Sequence, residues 1–208
     1  MYTYPEKYTF TETWFDASIP NWEQLFPQYL KDHSINNVLE IGCYEGRATT
    51  YLLDNFLKKD IIYDVIDTFG GSLEESGMLG TKDRLAQDNF IFNNFKHNIS
   101  FHSKINFSIY QNISQLQLPK LVEQGKKYDF IYVDASHRSD DTLVDAYYSH
   151  QLLNPGGMII FDDYGWKDPK QSHIVSSPML GIQVFFNFYN ELYDMVMQGY
   201  QVGAIKKQ

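Results

Sequence analysis

Short apolar runs alternate with helical patterns from residue 37 onward, and this alternation constrains the fold more than any other feature. It predicts strands at about 37–41, 61–66, 105–110, 129–133 and 158–161, and helices at about 47–58, 82–96, 114–124, 139–153 and 179–191. Strands separated by helices pair in parallel, and the helices cover both faces of the sheet. We therefore expect an α/β fold with a doubly wound, mostly parallel sheet.

The C-terminal pattern differs from the rest of the chain. Residues 193–197 and 200–205 are apolar runs joined by a short turn at Gln198-Gly199, which predicts an antiparallel hairpin. The hairpin brings the predicted number of strands to seven. A dinucleotide-binding sheet is normally parallel throughout, so the hairpin and the absence of the Gly-x-Gly-x-x-Gly fingerprint both argue against an NAD-dependent oxidoreductase.

Composition excludes several classes of protein. A chain of 208 residues with 43% hydrophobic residues can form a substantial core, and a net charge of −9 argues against nucleic acid as a partner. The single cysteine, Cys43, cannot form an internal disulfide, and no apolar run reaches the ~20 residues of a membrane span. The N-terminus also lacks the apolar region of a signal peptide, so we expect a cytoplasmic protein without a membrane partner.

The first glycine-bearing loop is the first candidate site. The predicted strand at 37–41 runs into Gly42-Cys43-Tyr44-Glu45-Gly46. Glycines at a strand's carboxyl end allow the backbone to approach a ligand closely. Asp67, at the end of the second strand, is placed to accept hydrogen bonds from ribose hydroxyls. The alternatives are an ordinary strand-to-helix turn for the glycines and a capping role for Asp67, but together these features favour nucleoside binding.

Two further strands end at carboxylates. Asp134 follows the strand at 129–133, and Asp162 and Asp163 follow the strand at 158–161, so the three should meet at one sheet edge with His137 nearby. Carboxylates this close must bind a cation, or one of them must stay protonated. The alternatives are a helix-capping Asp134, a solvated Asp162-Asp163 pair, and a hydrogen-bonded loop histidine.

These motifs resemble those of class I S-adenosylmethionine-dependent methyltransferases over roughly residues 36–205. The segments that carry the resemblance are 38–47, 64–68, 128–133 and 153–161. Within that class, the stretches 133–137 and 161–164 resemble the metal-dependent small-molecule O-methyltransferases related to macrocin-type sugar methyltransferases. The catechol branch usually has Asp-Asn at the Asp162-Asp163 position, which favours the sugar-type comparison.

The resemblance implies a role for each candidate residue. The cofactor S-adenosylmethionine would contact Glu40, Gly42, Cys43, Gly46, Asp67, Ser114 and Asp134, with Ser114 near the adenine and Cys43 as a packing residue. Mg²⁺ or another divalent cation would be bound by Asp134, Asp162 and Asp163. His137 would be the catalytic base, beside Asp134.

We therefore expect Mg²⁺-assisted O-methylation of a hydroxylated small molecule, such as a sugar or glycosylated metabolite. Residues 1–35 would form an N-terminal extension or lid, and residues 36–208 the methyltransferase domain. The alternatives are a metal-independent N- or protein-directed methyltransferase and a non-catalytic nucleoside-binding module. The identity of the acceptor and self-association into a homo-oligomer are left open.

Overall fold

The protein is an α/β domain built on a seven-stranded sheet with the strand order β3-β2-β1-β4-β5-β7-β6. The structure is a computed structural model that describes residues 2–57, 60–71, 89–167 and 176–207. The strands are β1 Asn37–Ile41, β2 Ile62–Asp67, β3 Asn106–Gln111, β4 Tyr128–Val133, β5 Leu153–Phe161, β6 Tyr193–Gln198 and β7 Val202–Lys206. The α-helices of the described ranges are α1 Ile19–Asp32, α2 Arg47–Asn55, α3 Phe90–Ile99, α4 Ser114–Glu123, α5 Ser139–Leu152 and α6 Met179–Tyr189. Short 3₁₀ helices span Trp14–Ser18 and Asn190–Leu192.

The sheet topology confirms the predicted fold class. Strands β1 to β5 pair in parallel, whereas β7 is antiparallel to β5 and β6 is antiparallel to β7. The strand order reverses between β1 and β4, because β2 and β3 lie on one side of β1 and the later strands lie on the other. In such sheets the carboxyl ends at the reversal form the usual ligand crevice.

The boundaries of several elements differ from the prediction, most of all at β5, α2 and α3. Helix α2 ends at Asn55, before its predicted end at residue 58. Strand β5 begins at Leu153 and not at residue 158, because the segment Asn154-Pro155-Gly156-Gly157 continues alongside β4 through a register shift between Tyr128 and Phe130. Helix α3 is described from Phe90 to Ile99, past the predicted end at residue 96. Residues 82–88 of the predicted helix, and residue 58 of the preceding one, lie outside the described residues.

The N-terminal helix α1 completes the core on one face of the sheet. Its buried residues Ile19, Trp22, Phe26 and Tyr29 recur at helical spacing and pack with α2, α3 and one side of the strands. Trp22 and Phe26 are fully buried. The opposite face is covered by α4, α5 and α6. None of the helices in the described part of the chain is long and apolar enough to cross a membrane. The division of the chain at residue 35 stays a prediction.

A buried carboxyl lies between α4 and α5. Asp145 is fully buried on α5 and faces Ser114, the first residue of α4. Both of its carboxyl oxygens lack a hydrogen-bond partner in the described part of the protein. Burial raises the pKa of Asp145 to about 7, and interaction with Ser114 opposes the rise.

This raised pKa predicts a pH-dependent cost of folding that Asp145→Asn should remove. The folded pKa of about 7 lies above the ordinary value, so burial of this carboxyl does not lower the free energy of unfolding below pH ~4. The cost grows as pH rises toward 7 and is constant above it. The stability of the variant relative to wild type should therefore increase by about 2–3 kcal/mol between pH 5 and pH 8. Urea unfolding at both pH values measures this, and a pH-independent difference would contradict it.

Candidate active site

Gly42 brings the ends of three strands together at the reversal of strand order. A side chain at this position would lie 2.0 Å from the carbonyl oxygen of Asp134, and the residue has a φ of +83°. The Gly42 amide donates to Ile66 O at 2.8 Å, and the Asp134 amide donates to Ile41 O at 2.8 Å. Only glycine satisfies both the left-handed backbone and this close approach. The predicted glycine loop therefore passes directly against the loop that follows β4.

Asp67 organises the glycine loop from the end of β2. Its carboxylate accepts from the amides of Cys43 at 2.7 Å, Tyr44 at 2.8 Å and Phe69 at 2.6 Å. Burial raises the pKa of Asp67, and these three amides oppose the rise. A carboxylate has about four acceptor sites. Asp67 therefore holds the loop and retains capacity for one further donor.

Glu40 presents a buried carboxylate with one unused oxygen. Its Oε2 accepts from Thr49 Oγ1 and from the Tyr63 hydroxyl, each at 2.7 Å. Its Oε1 has no hydrogen-bond partner among the described residues. Burial raises the pKa of Glu40 to about 7, and the two hydroxyls oppose this. An unpaired buried acceptor is costly, so Oε1 suits a donor supplied by a ligand.

Cys43 and Gly46 have packing roles in the loop. Burial, followed by the charges of Asp67 and Glu40, raises the pKa of the Cys43 thiol, which therefore stays protonated. Gly46 has a φ of +79° and precedes α2, and a side chain there would lie 2.9 Å from the ring of Phe95. Cys43 is buried in the core, and its predicted position beside the cofactor stays a prediction.

Glu45 is a structural residue that the sequence did not reveal. It is buried and accepts from the Thr11 amide at 2.6 Å, the Thr11 hydroxyl at 3.0 Å and Asn94 Nδ2 at 2.8 Å. Two residues later, Arg47 forms a bidentate ion pair with Asp16 at 2.7 Å. The N-terminal segment is thereby fixed to the glycine loop. A glutamate between loop glycines normally suggests solvent exposure, so no sequence signal indicated this contact.

The carboxylates predicted to cluster do lie together at the ends of β4 and β5. The buried Tyr132 hydroxyl lies 3.2 Å from Asp134 Oδ2 and in close contact with Asp162 Oδ2. Burial and then the neighbouring Asp162 and Asp163 raise the pKa of Asp134 well above its usual range. Burial and then Asp163 raise the pKa of Asp162 to about 6. A phenol carries one hydrogen, so it can donate to only one of these two carboxyls at a time.

Asp163 is directed toward His137. His137 Nε2 lies 2.9 Å from Asp163 Oδ2, and the Tyr200 hydroxyl donates to Asp163 Oδ1 at 2.8 Å. The indole of Trp166 lies against the imidazole, with ring centroids 4.2 Å apart. Asp163 has a φ of +55°, an unusual left-handed conformation for a residue other than glycine. The histidine is thus fixed by a carboxylate on one side and an aromatic ring on another.

The structure brings most of the predicted site residues to one edge. Glu40, Gly42, Cys43 and Asp67 lie at or near the ends of β1 and β2, while Asp134, His137, Asp162 and Asp163 line a cleft beyond β4 and β5. Ser114 lies at the start of α4, after β3, and faces Asp145. No contact tests its predicted position near the adenine, which stays a prediction.

The acidic cluster matches Mg²⁺ in donor chemistry. Its carboxylate oxygens are the hard ligands that Mg²⁺ prefers. Besides burial, the charges of the other carboxylates, Asp162, Asp163 and Glu40, raise the pKa of Asp134, and a cation would offset them. The described residues contain no group of three or more His, Cys, Asp or Glu already arranged to hold a metal ion. Asp163 instead contacts His137 and Tyr200. The predicted metal site is therefore not established by the geometry.

Comparison with known proteins places these features in a family. The family model described as "Methyltransferase domain" matches residues 39–164, which is more than half of the chain. A search of curated protein sequences gave no significant match.

Several solved methyltransferase structures share the fold. The O-methyltransferase TomG from Streptomyces achromogenes, in complex with SAM, aligns with a TM-score of 0.57 and 15% identity over 91% of this chain and 80% of TomG. MycE from the mycinamycin pathway, in complex with Mg, SAH and mycinamycin VI, aligns with a TM-score of 0.57 and 15% identity over 97% of this chain and 51% of MycE. The N-methyltransferase NodS from Bradyrhizobium japonicum WM9, in complex with SAH, aligns with a TM-score of 0.54 and 15% identity over 95% of this chain and 90% of NodS.

Three observations agree with one another. These are the parallel sheet with its C-terminal antiparallel pair, the glycine loop that lies against β4, and the match to the family model. The chain belongs to the methyltransferase-domain family and has the fold of the class I S-adenosylmethionine-dependent methyltransferases.

Proposed function

We propose that the protein transfers the methyl group of S-adenosylmethionine to a hydroxyl oxygen of a small molecule, such as a sugar or glycosylated metabolite. The single observation that carries this proposal is the His137–Asp163 pair beside the acidic cluster, at the same sheet edge as the glycine loop. A hydroxyl must lose its proton to become a strong nucleophile, and a fixed histidine can accept that proton. TomG, an O-methyltransferase, and MycE, crystallised with mycinamycin VI, share the fold and support this choice.

The cofactor would bind across the ends of β1 and β2. The remaining acceptor capacity of Asp67 suits a ribose hydroxyl, and Glu40 Oε1 suits another donor of the ligand. Gly42 keeps the loop close to Asp134, so a cofactor bound along this loop would lie beside the acidic cluster. Holding the acceptor in line with the methyl group can supply a large part of the rate enhancement.

His137 would act as the base through a defined nitrogen. An ionised carboxylate only accepts hydrogen bonds, so the contact with Asp163 assigns the hydrogen to Nε2 and makes Nδ1 the basic nitrogen. Nδ1 is buried in this structure, so an acceptor would reach it only after the imidazole or the residues that cover it move. Asp163 would then stabilise the imidazolium that forms when the acceptor proton arrives. Tyr200 holds the other carboxylate oxygen, and Trp166 limits rotation of the ring.

Assistance by Mg²⁺ is the second part of the proposal. A bound Mg²⁺, held by Asp134, Asp162 and Asp163, would orient an acceptor hydroxyl and lower its pKa. Support comes from the donor chemistry of the cluster and from MycE, whose complex contains Mg. Binding through Asp163 would compete with its present contacts to His137 and Tyr200.

A nitrogen acceptor is the main rival, because NodS, an N-methyltransferase, has the same fold. A neutral amine attacks through its lone pair and needs no prior deprotonation. The His137–Asp163 pair would then have no task before methyl transfer. The pair therefore favours a hydroxyl over a neutral amine, although an amine protonated at neutral pH would also need a base.

Asp67 should be required for cofactor binding. Asp67→Asn keeps one oxygen to hold the loop but removes the charge, and loss of a charged hydrogen bond typically costs about 1.5–3 kcal/mol. We expect S-adenosylhomocysteine to bind about 10- to 100-fold more weakly in calorimetric titration. Asp194→Asn, an exposed carboxylate on β6, is the matched control. Unchanged affinity in Asp67→Asn would remove Asp67 from the cofactor site.

His137 should be required for catalysis but not for cofactor binding. Removal of a general base typically costs about 10²- to 10⁴-fold in kcat, so His137→Gln should lose activity by that factor. The dissociation constant for S-adenosylhomocysteine should stay within about twofold. His97→Gln, an exposed histidine that contacts the Lys7 carbonyl, should behave as wild type. Full activity of His137→Gln on a hydroxyl acceptor would exclude this histidine as the base.

Chelation tests the metal separately. If Mg²⁺ assists, excess EDTA should abolish most methyl transfer, and added Mg²⁺ should restore it, because the acceptor hydroxyl would lose the cation that acidifies it. S-adenosylhomocysteine should bind equally well in both conditions. Undiminished turnover in EDTA would show that the protein works without a metal and would leave the base mechanism standing.

A further inference from the structure

A buried chain of hydrogen bonds joins the N-terminal helix to the acidic cluster. The Trp22 indole Nε1 donates to Gln201 Oε1 at 2.9 Å, and Gln201 Nε2 donates to Asp162 Oδ2 at 2.8 Å. Trp22 and Gln201 are fully buried, and Asp162 is 9% exposed. The three residues come from α1, the β6–β7 turn and the end of β5. The contact between Trp22 and Gln201 spans 179 positions of sequence.

The chemistry at both ends fixes the orientation of the Gln201 amide. An indole can only donate, so the amide oxygen must face Trp22. An ionised carboxylate can only accept, so the amide nitrogen must face Asp162. The reversed amide would place two donors together at one end and two acceptors at the other. The assignment therefore follows from the partners.

The indole is itself held in place by aromatic packing. Trp22 makes edge-to-face contacts with Phe15, Phe130 and Tyr132, at centroid distances of 4.8, 6.0 and 5.1 Å. Tyr132 is the residue whose hydroxyl lies between Asp134 and Asp162. The indole thus reaches Gln201 through its N–H and packs on Tyr132 through its ring, so the two contacts can be removed separately.

We propose that Gln201 and Trp22 are positioning residues that fix the Asp162 carboxylate for methyl transfer, with Trp22 acting through Gln201. This inference rests on the proposed function, because it assigns Asp162 to the reacting site. Asp162 Oδ2 receives the Gln201 amide and the Tyr132 hydroxyl, and Oδ1 receives the Asp163 amide at 2.7 Å. Gln201 supplies the one side-chain amide among these donors. Without it, the Tyr132 hydroxyl and the Asp163 amide would be the remaining donors, and Tyr132 also contacts Asp134.

A double-mutant cycle tests this order of action. Gln201→Met keeps the volume but removes the donor to Asp162, and Trp22→Phe keeps an aromatic ring but removes the indole N–H. Loss of supporting contacts around a site typically costs about 10- to 100-fold in activity, so we expect Gln201→Met to lower kcat by that factor. Trp22→Phe should lower kcat by less, and the double variant should be no worse than Gln201→Met alone. The KM for the acceptor and the affinity for S-adenosylhomocysteine should stay within about twofold.

Tyr29→Phe is the matched control. Tyr29 also lies on α1, is buried, and donates its hydroxyl to the Gly156 carbonyl at 2.8 Å. Its loss should lower thermal stability without changing kcat. If all three single variants lower stability but leave kcat unchanged, or if the losses in kcat are additive, the proposed relay is wrong.

Carbon NMR separates this inference from the proposed function. The ¹³Cγ resonance of Asp162, assigned by its disappearance in Asp162→Asn, should move in Trp22→Phe and Gln201→Met but not in Tyr29→Phe. The resonance should move in this way even if the protein methylates no hydroxyl acceptor. Absence of methylation would reject the proposed function but not the positioning role of Gln201 and Trp22. An unmoved Asp162 resonance in Trp22→Phe would overturn the relay even in an active enzyme. A variant that fails to fold, judged by circular dichroism, is replaced by Gln201→Leu or Trp22→Tyr.

Discussion

The close approach of Gly42 to the Asp134 carbonyl is the constraint on which the site depends. It lets the loop after β1 cross directly in front of β4, at the point where the strand order reverses. The hydrogen bonds from the Gly42 amide to Ile66 O and from the Asp134 amide to Ile41 O extend the pairing of β1 with its two neighbours to this edge. A residue with a side chain would push the glycine loop away from the acidic cluster. The glycine loop and the carboxylates are neighbours because this backbone contact exists.

Most of the framework could be predicted from the sequence, because its signals are local. The strand that ends at Asp67 and the strands that end just before Asp134 and Asp162 can be recognised from short apolar runs. The parallel topology then places their ends at one edge. The closing hairpin was recognisable from its turn at Gln198-Gly199. The start of β5 was not, because Pro155 and the glycines beside it normally end an element. Here those residues continue along β4 through a register shift.

The long-range contacts could not be predicted, because they join segments that share no local pattern. Nothing near Gln201 in the sequence indicates that its amide lies between Trp22 and Asp162. Glu45 is a charged residue in a glycine-bearing loop, where exposure to solvent is normal, yet it is buried against Thr11. The buried aromatic residues of α1 lie on one side of the helix, but their spacing does not show which of them also makes a polar contact. Polar contacts inside a core depend on tertiary geometry.

The arrangement of Asp163 links the two halves of the proposed chemistry. One carboxylate cannot give its full coordination to a cation while it accepts from both His137 and Tyr200. Asp162, by contrast, is held by donors from Tyr132, Gln201 and its neighbour's amide, and its orientation does not depend on the histidine. Adjacent carboxylates of the same sequence motif therefore have different supports: Asp162 is fixed by the buried core, and Asp163 by the residues that would handle the proton. A cation that recruited both would have to draw Asp163 away from His137, so cation binding and orientation of the base would be thermodynamically coupled.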